Sequence, residues 1–213
     1  MDWESFVDVM LRLAMPDDAD AAVPLIYSSG PAVIEYMFRV WDAGDAMACM
    51  RRGFVKNCGE LGHAIHTVAV IDGAVVGVGT AYSGREMPGY MIAGTRNIFA
   101  FYGLVRGLGV MRRALQVERL IQPPKGDMHY VAHLGVAPEM RGRGIGALLV
   151  NHLLEEGRKL GRSVAALDVS VLNPRAQALY ERLGFVVTEE RKSTLRNAHA
   201  TVPDHRRMVL PLR

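Results

Sequence analysis

The chain has 213 residues, half of them apolar and 22% charged, the mixture of a protein with a proper core rather than of a disordered chain. Its net charge of +3 conceals an asymmetry: residues 1–60 hold 5 basic and 10 acidic side chains, net −5, and residues 61–213 hold the other 20 and 12, net +8. The surplus points to a small anionic partner and away from nucleic acid, because no short block is continuously Lys/Arg-rich. The longest uncharged stretch, Ala21 to Ile34, has 14 residues and two prolines, too short and broken to span a bilayer.

The first ten residues, MDWESFVDVM, open with acids rather than a basic region and an apolar core, unlike a secretory leader; a cytoplasmic protein of one domain over 1–213 is the expectation. Residues 9–15 alternate as a strand, and Pro16-Asp17-Asp18 starts a helix. Further helices are expected from Pro31 to Trp41 and from Asp45 to about Cys58. Cys49 and Cys58 lack the paired spacing of a zinc site or redox dithiol and read as buried free thiols, with no metal implied. Residues 63–71 and 74–82 are β-rich runs around Asp72-Gly73, a strong hairpin signal. Apolar residues at helical spacing then fill 95–121, ended by Pro123-Pro124. Residues 128–136 read as a strand, 137–146 as a glycine-rich turn, 147–160 as a helix, 163–171 as a strand, 174–183 as a helix, 185–190 as a strand and 208–212 as a last one. The strand–helix–strand alternation predicts local parallel pairing with right-handed crossovers.

Gly142, Gly144 and Gly146 lie where a strand hands over to a helix, so free N–H groups and the positive end of the helix dipole converge there. Glycine permits φ > 0, and Arg141 and Arg143 add charge-assisted hydrogen bonds, so the turn suits phosphate. Gly142, Gly144 and Ala147 also satisfy the dinucleotide pattern G-x-G-x-x-A, with Asp168 in the next strand. Against a dinucleotide oxidoreductase, five residues separate Val136 from the first glycine, Asp168 is followed by more strand, and one βαβ unit comes late in the chain.

The run LGVAPEMRGRGIGALLVNHLLEEGRKLG, with Arg141, Gly144 and Gly146, followed by NPRAQALYERLGF, with Asn173, Ala176, Leu179, Tyr180, Gly184 and Phe185, resembles the two linked motifs of the GNAT N-acetyltransferase family over about residues 128–190. The resemblance implies an α/β (α+β) fold: a mixed, mostly antiparallel sheet flanked by helices, whose fourth and fifth strands are parallel and splay to admit the cosubstrate acetyl-CoA. It implies main-chain contacts from Leu134, Gly135 and Val136 to the pantetheine, with one N–H as oxyanion donor. Arg141, Gly142, Arg143, Gly144, Ile145 and Gly146 would hold the pyrophosphate, and Asn173 and Ala176 the CoA arm; a helix N-cap is the alternative use of Asn173. Arg175 would reach another phosphate. Tyr180 would protonate the departing thiolate, with packing on Phe185 as its alternative. For the base, Asp168 and His133 rank equally and His129 third; without a bulge the two histidines share a face.

The expected activity is direct acetyl transfer to a primary amine of a small molecule or peptide, with a non-catalytic CoA-binding sensor as the alternative. The 95–121 segment could cover the acceptor site. From Thr95 to Lys125 it carries six basic residues and one acid, Glu118, so an acidic acceptor is one reading, and a solvated helix or a homodimer contact the other.

Overall fold

The computed structural model describes residues 9–42 and 44–212; residues 1–8 of the acidic opening run lie outside them. Seven strands, β1 (Met10–Leu13), β2 (His66–Ile71), β3 (Ala74–Tyr82), β4 (His129–Val136), β5 (Val164–Ser170), β6 (Val186–Arg191) and β7 (His205–Pro211), form one sheet in the order β1-β2-β3-β4-β5-β7-β6. Every neighbouring pair is antiparallel except β4 with β5, so the sheet is mixed and mostly antiparallel. Asp72 and Gly73, with φ of 49° and 80°, make the β2–β3 turn in the left-handed conformation that matches strand twist. The parallel pairing expected from strand–helix alternation holds for β4 and β5. It fails for β5 and β6, because β7 returns between them and pairs antiparallel with both; local alternation records a strand's direction but not its neighbour.

Side chains alternate between two cores. On β2, Val68 and Val70 join the core beneath α1 (Ala19–Ser28), α2 (Pro31–Phe38) and α3 (Asp45–Val55), while Ala69 and Ile71 face the core of α5 (Ile145–Lys159). α6 (Pro174–Arg182) packs on the α5 side, where Leu179 and Tyr180 meet Val150, Leu153 and Phe185. Gly135 is needed where the helices press in from the first side, since a Cβ there would lie 2.2 Å from the carbonyl oxygen of Leu25.

The segment expected as one helix over 95–121 is α4 (Met87–Val117), and it is broken. Gly103 has φ 72° and ψ 178°, a region almost reserved for glycine. In a straight helix Thr95 and Met111 would stand about 24 Å apart, yet the Thr95 hydroxyl lies 3.8 Å from the Met111 sulfur. The two arms therefore fold back on each other as a helical hairpin, with Leu104 and Val105 exposed at its tip, 71% and 83%. Replacing Gly103 by Ala should lower stability by about 1–3 kcal/mol, read as a melting temperature several degrees lower. Gly109→Ala, in a helical arm with ordinary space around it, should be neutral or stabilising.

Candidate active site

β4 and β5 pair only at His129 with Ala165 and Tyr130 with Ala166. Beyond that, β4 stays paired with β3 as far as Val136, and β5 with β7 as far as Ser170, while their facing edges part. Backbone N–H and C=O groups of β4 from Val131 onward are thus left without a strand partner on that edge, and a cavity of about 200 Å³ opens there. Gly142 and Gly144 take φ of 78° and 82°, and α5 begins at Ile145 with no side chain capping its free N–H groups. The Arg141 guanidinium donates to the Val136 carbonyl at 3.0 Å, tying the turn to the end of β4; Arg143 is exposed. Gly146 lets α5 approach α6, a Cβ there lying 3.3 Å from Leu179. The side chains of Leu134, Val136 and Ile145 pack into the α5-side core, which leaves main-chain atoms as what these residues offer a ligand. Asn173 caps α6, accepting from the Ala176 N–H at 3.1 Å, and both residues line the cavity.

The histidines do not share a face. Val78 pairs with Gly135 and Thr80 with Ala132, so two β4 residues oppose the single residue Gly79, and His133 sits in this bulge with φ 56°. His129 points toward α5, with Nε2 2.8 Å from the Leu153 carbonyl. His133 is turned to the other side, stacked on buried His66 with ring centroids 5.3 Å apart and Nδ1 3.0 Å from His66 Nε2. His66 Nδ1 is 2.7 Å from the Gly62 carbonyl, a group that only accepts, so His66 carries its proton on Nδ1 and accepts at Nε2 from His133 Nδ1–H. That leaves His133 Nε2 with a lone pair, and His133 lines the cavity. Burial lowers both imidazoles, His66 to about 4 and His133, next to His66, to about 3; both are neutral at pH 7.

Asp168 also lines the cavity, but its carboxylate is committed. Arg207 donates from Nε at 3.1 Å and from Nη2 at 2.7 Å, and the Tyr130 hydroxyl donates at 2.8 Å. Arg191 lies 3.5 Å away, and the Asp168 side chain is 2% exposed. Three of this carboxylate's roughly four acceptor sites are filled, and Arg191 stands beside the oxygen that carries the fourth. Tyr180 is buried, edge-on to Phe185 at 6.0 Å between ring centroids, and lines the cavity too; burial pushes its phenol up to about 12.

The sequence reading missed His66, Tyr130, Arg191 and Arg207, and it missed a second cavity, of about 250 Å³, between the arms of α4 and the sheet. Glu60 and Glu118 line it. Glu60 belongs to the CGELG connection after α3, where no spacing pattern marks it. Cys58, expected to be buried, is half-buried on the same wall, and Cys49 is buried; both are free.

The model of the acetyltransferase (GNAT) family matches residues 32–185, and the chain belongs to that family. An N-acetyltransferase of uncharacterised function from Methanocaldococcus jannaschii is 40% identical over 72 residues, 34% of this chain and 32% of that protein, so the chain spans about a third of that relative's length. An N-acetyltransferase structure from Staphylococcus aureus superposes with a TM-score of 0.67 at 17% identity, over 94% of this chain and 100% of the other. A Salmonella typhimurium protein solved with its cofactor acetyl-CoA gives 0.56 at 18% identity, over 97% and 95%. At these identities the two structures show a shared fold. No helix among the described residues is long and apolar enough to cross a membrane.

Asp168→Asn should remove a buried counter-charge from Arg207 and Arg191 and cost about 3 kcal/mol in denaturant unfolding; a purely catalytic carboxylate would leave unfolding unchanged. His66 and His133 have folded values below the usual 6.5, so the unfolded state binds more protons as pH falls and stability is lost from about 6.5 downward. The melting temperature of a His66→Gln/His133→Gln double variant should therefore fall less between pH 6.5 and 4.5 than that of the parent.

Proposed function

We propose that the chain transfers the acetyl group of acetyl-CoA, bound between β4 and β5, directly to an amine. The observation that carries this is the ladder that opens after two residue pairs with an uncapped helix N-terminus at its mouth. The residues present fit the molecule: a free strand edge for an extended amide-bearing arm and a glycine turn with backbone N–H groups for phosphate. When bound, acetyl-CoA supplies an acetyl group activated as a thioester.

Leu134, Gly135 and Val136 would align the arm through main-chain hydrogen bonds, one N–H polarising the carbonyl. Residues 141–146 would hold the pyrophosphate, and Asn173 and Ala176 the arm beyond it. Tyr180, neutral over the working range, donates its proton to the sulfur as the C–S bond breaks. Of the three candidate bases His133 alone lines the cleft with an acceptor atom, Nε2, that no group among the described residues engages or crowds. Its low affinity for protons makes it an acceptor that orients the amine N–H, while the proton itself leaves to water. Asp168 holds Tyr130 and Arg207 in place and abstracts nothing.

Acetyl-CoA should raise the melting temperature and NAD should not. With an accepted amine, free thiol should appear, and Tyr180→Phe should slow its appearance on the order of a hundredfold while the acetyl-CoA shift is kept. Stabilisation by NAD alone, or full activity in Tyr180→Phe at neutral pH, would sink the assignment.

A further inference from the structure

The cavity under the α4 hairpin meets the β4–β5 cleft at Tyr130 and Ile121, which line both. Its volume of about 250 Å³ lies just below the range usual for drug-sized ligands, room for a small, slender one. Met37, Met87, Met91 and Met111 form much of the wall, a lining of flexible thioethers that adapts to a slender apolar body. Into this apolar space come two carboxylates. One oxygen of Glu60 accepts from the Tyr82 hydroxyl at 2.7 Å; its other oxygen and both oxygens of Glu118 have no hydrogen-bonding partner among the described residues, and neither group has a cationic one. Burial raises both carboxyls above the ordinary range, and for Glu60 the charge of Glu118 adds to it.

The basic residues of the same segment do not answer them. Arg96, Arg106, Arg112 and Arg119 are exposed, Arg106 lying over the Trp41 ring at 4.6 Å, and Arg113 donates to the Met37 carbonyl at 2.9 Å. None of the five lines the cavity. The fixed charge inside is therefore negative although the segment as a whole is basic, which speaks against the acidic-acceptor reading of its sequence.

We infer that this cavity takes the remote cationic end of the acceptor, so that the substrate is a slender apolar amine with a second positive group, an alkyl diamine being the simplest case. The inference rests on the acetyl-transfer reading of the adjoining cleft. The cation held here is not the nucleophile: a nitrogen between two carboxylates stays protonated, whereas the attacking nitrogen must be neutral. Glu60 and Glu118 are also absent from the lining of the cleft, with Tyr130 standing between the two spaces.

Three acceptors of equal chain length separate the possibilities: 1,6-diaminohexane, hexylamine and 6-aminohexanoate. By thiol release, kcat/KM for the diamine should exceed that for hexylamine roughly tenfold to a hundredfold, with 6-aminohexanoate lowest, and Glu60→Gln/Glu118→Gln should bring the first ratio to about one. Without acetyl-CoA, the diamine should still raise the melting temperature of the parent and not of the double variant. Equal use of the diamine and hexylamine, a preference for 6-aminohexanoate, or no stabilisation by the diamine overturns the inference. Acetyl-CoA should stabilise both proteins. If it stabilises neither, the acetyl-transfer reading fails, while the diamine shift still reports on the cavity.

Discussion

The separation of β4 from β5 is the constraint around which the remaining parts are arranged. A parallel pair in mid-sheet would ordinarily exchange hydrogen bonds along its whole length, and here it does so for two residues. Each strand keeps its outer ladder, β4 on β3 and β5 on β7, so the parting does not unravel the sheet. It leaves backbone groups of β4 from Val131 onward and of β5 from Leu167 onward without mutual partners, a costly condition away from water. An extended ligand with amides of its own relieves it, and for that reason the opening reads as a binding site and not as a defect.

Polar side chains secure the base of the opening. Asp168 on β5 accepts from Tyr130 on β4 and from Arg207 on β7, joining three adjacent strands at the point where two of them diverge. On the β2 side, His66 backs His133 and His66 in turn is held by the Gly62 carbonyl. The left-handed backbone at His133 is a strained conformation of the kind found at functional sites, and its ring stacks on His66 from there. Both clusters are buried networks of groups that tolerate the loss of a partner badly.

Residues 128–190 were legible because their signals are local. Glycines fix the turn at 142–146, Asn173 marks a helix start, and β4, β5 and α6 end within one or two residues of their expected limits. What escaped depends on residues distant in sequence. Arg207 meets Asp168 across 39 positions and His133 meets His66 across 67. Alternation could not announce a bulge at His133, so the histidine pairing was misjudged, and it could not show β7 entering between β5 and β6. The apolar period of 95–121 continues on both sides of Gly103 with no sign of a reversal, because a glycine within a helical pattern is ordinarily tolerated. Glu60 and Glu118 become a pair only after that reversal.

The hairpin formed at Gly103 also divides the chain's responsibilities. Except for Tyr130, the cavity wall is drawn from residues 37–123, whereas the glycine turn, Asn173, Ala176 and Tyr180 come later. A change in an arm of the hairpin alters what can enter without touching the main-chain edge of β4 or the start of α5. On the proposed reading, acceptor choice and donor binding draw on separate stretches of the chain, so either can be altered by substitution without rebuilding the other.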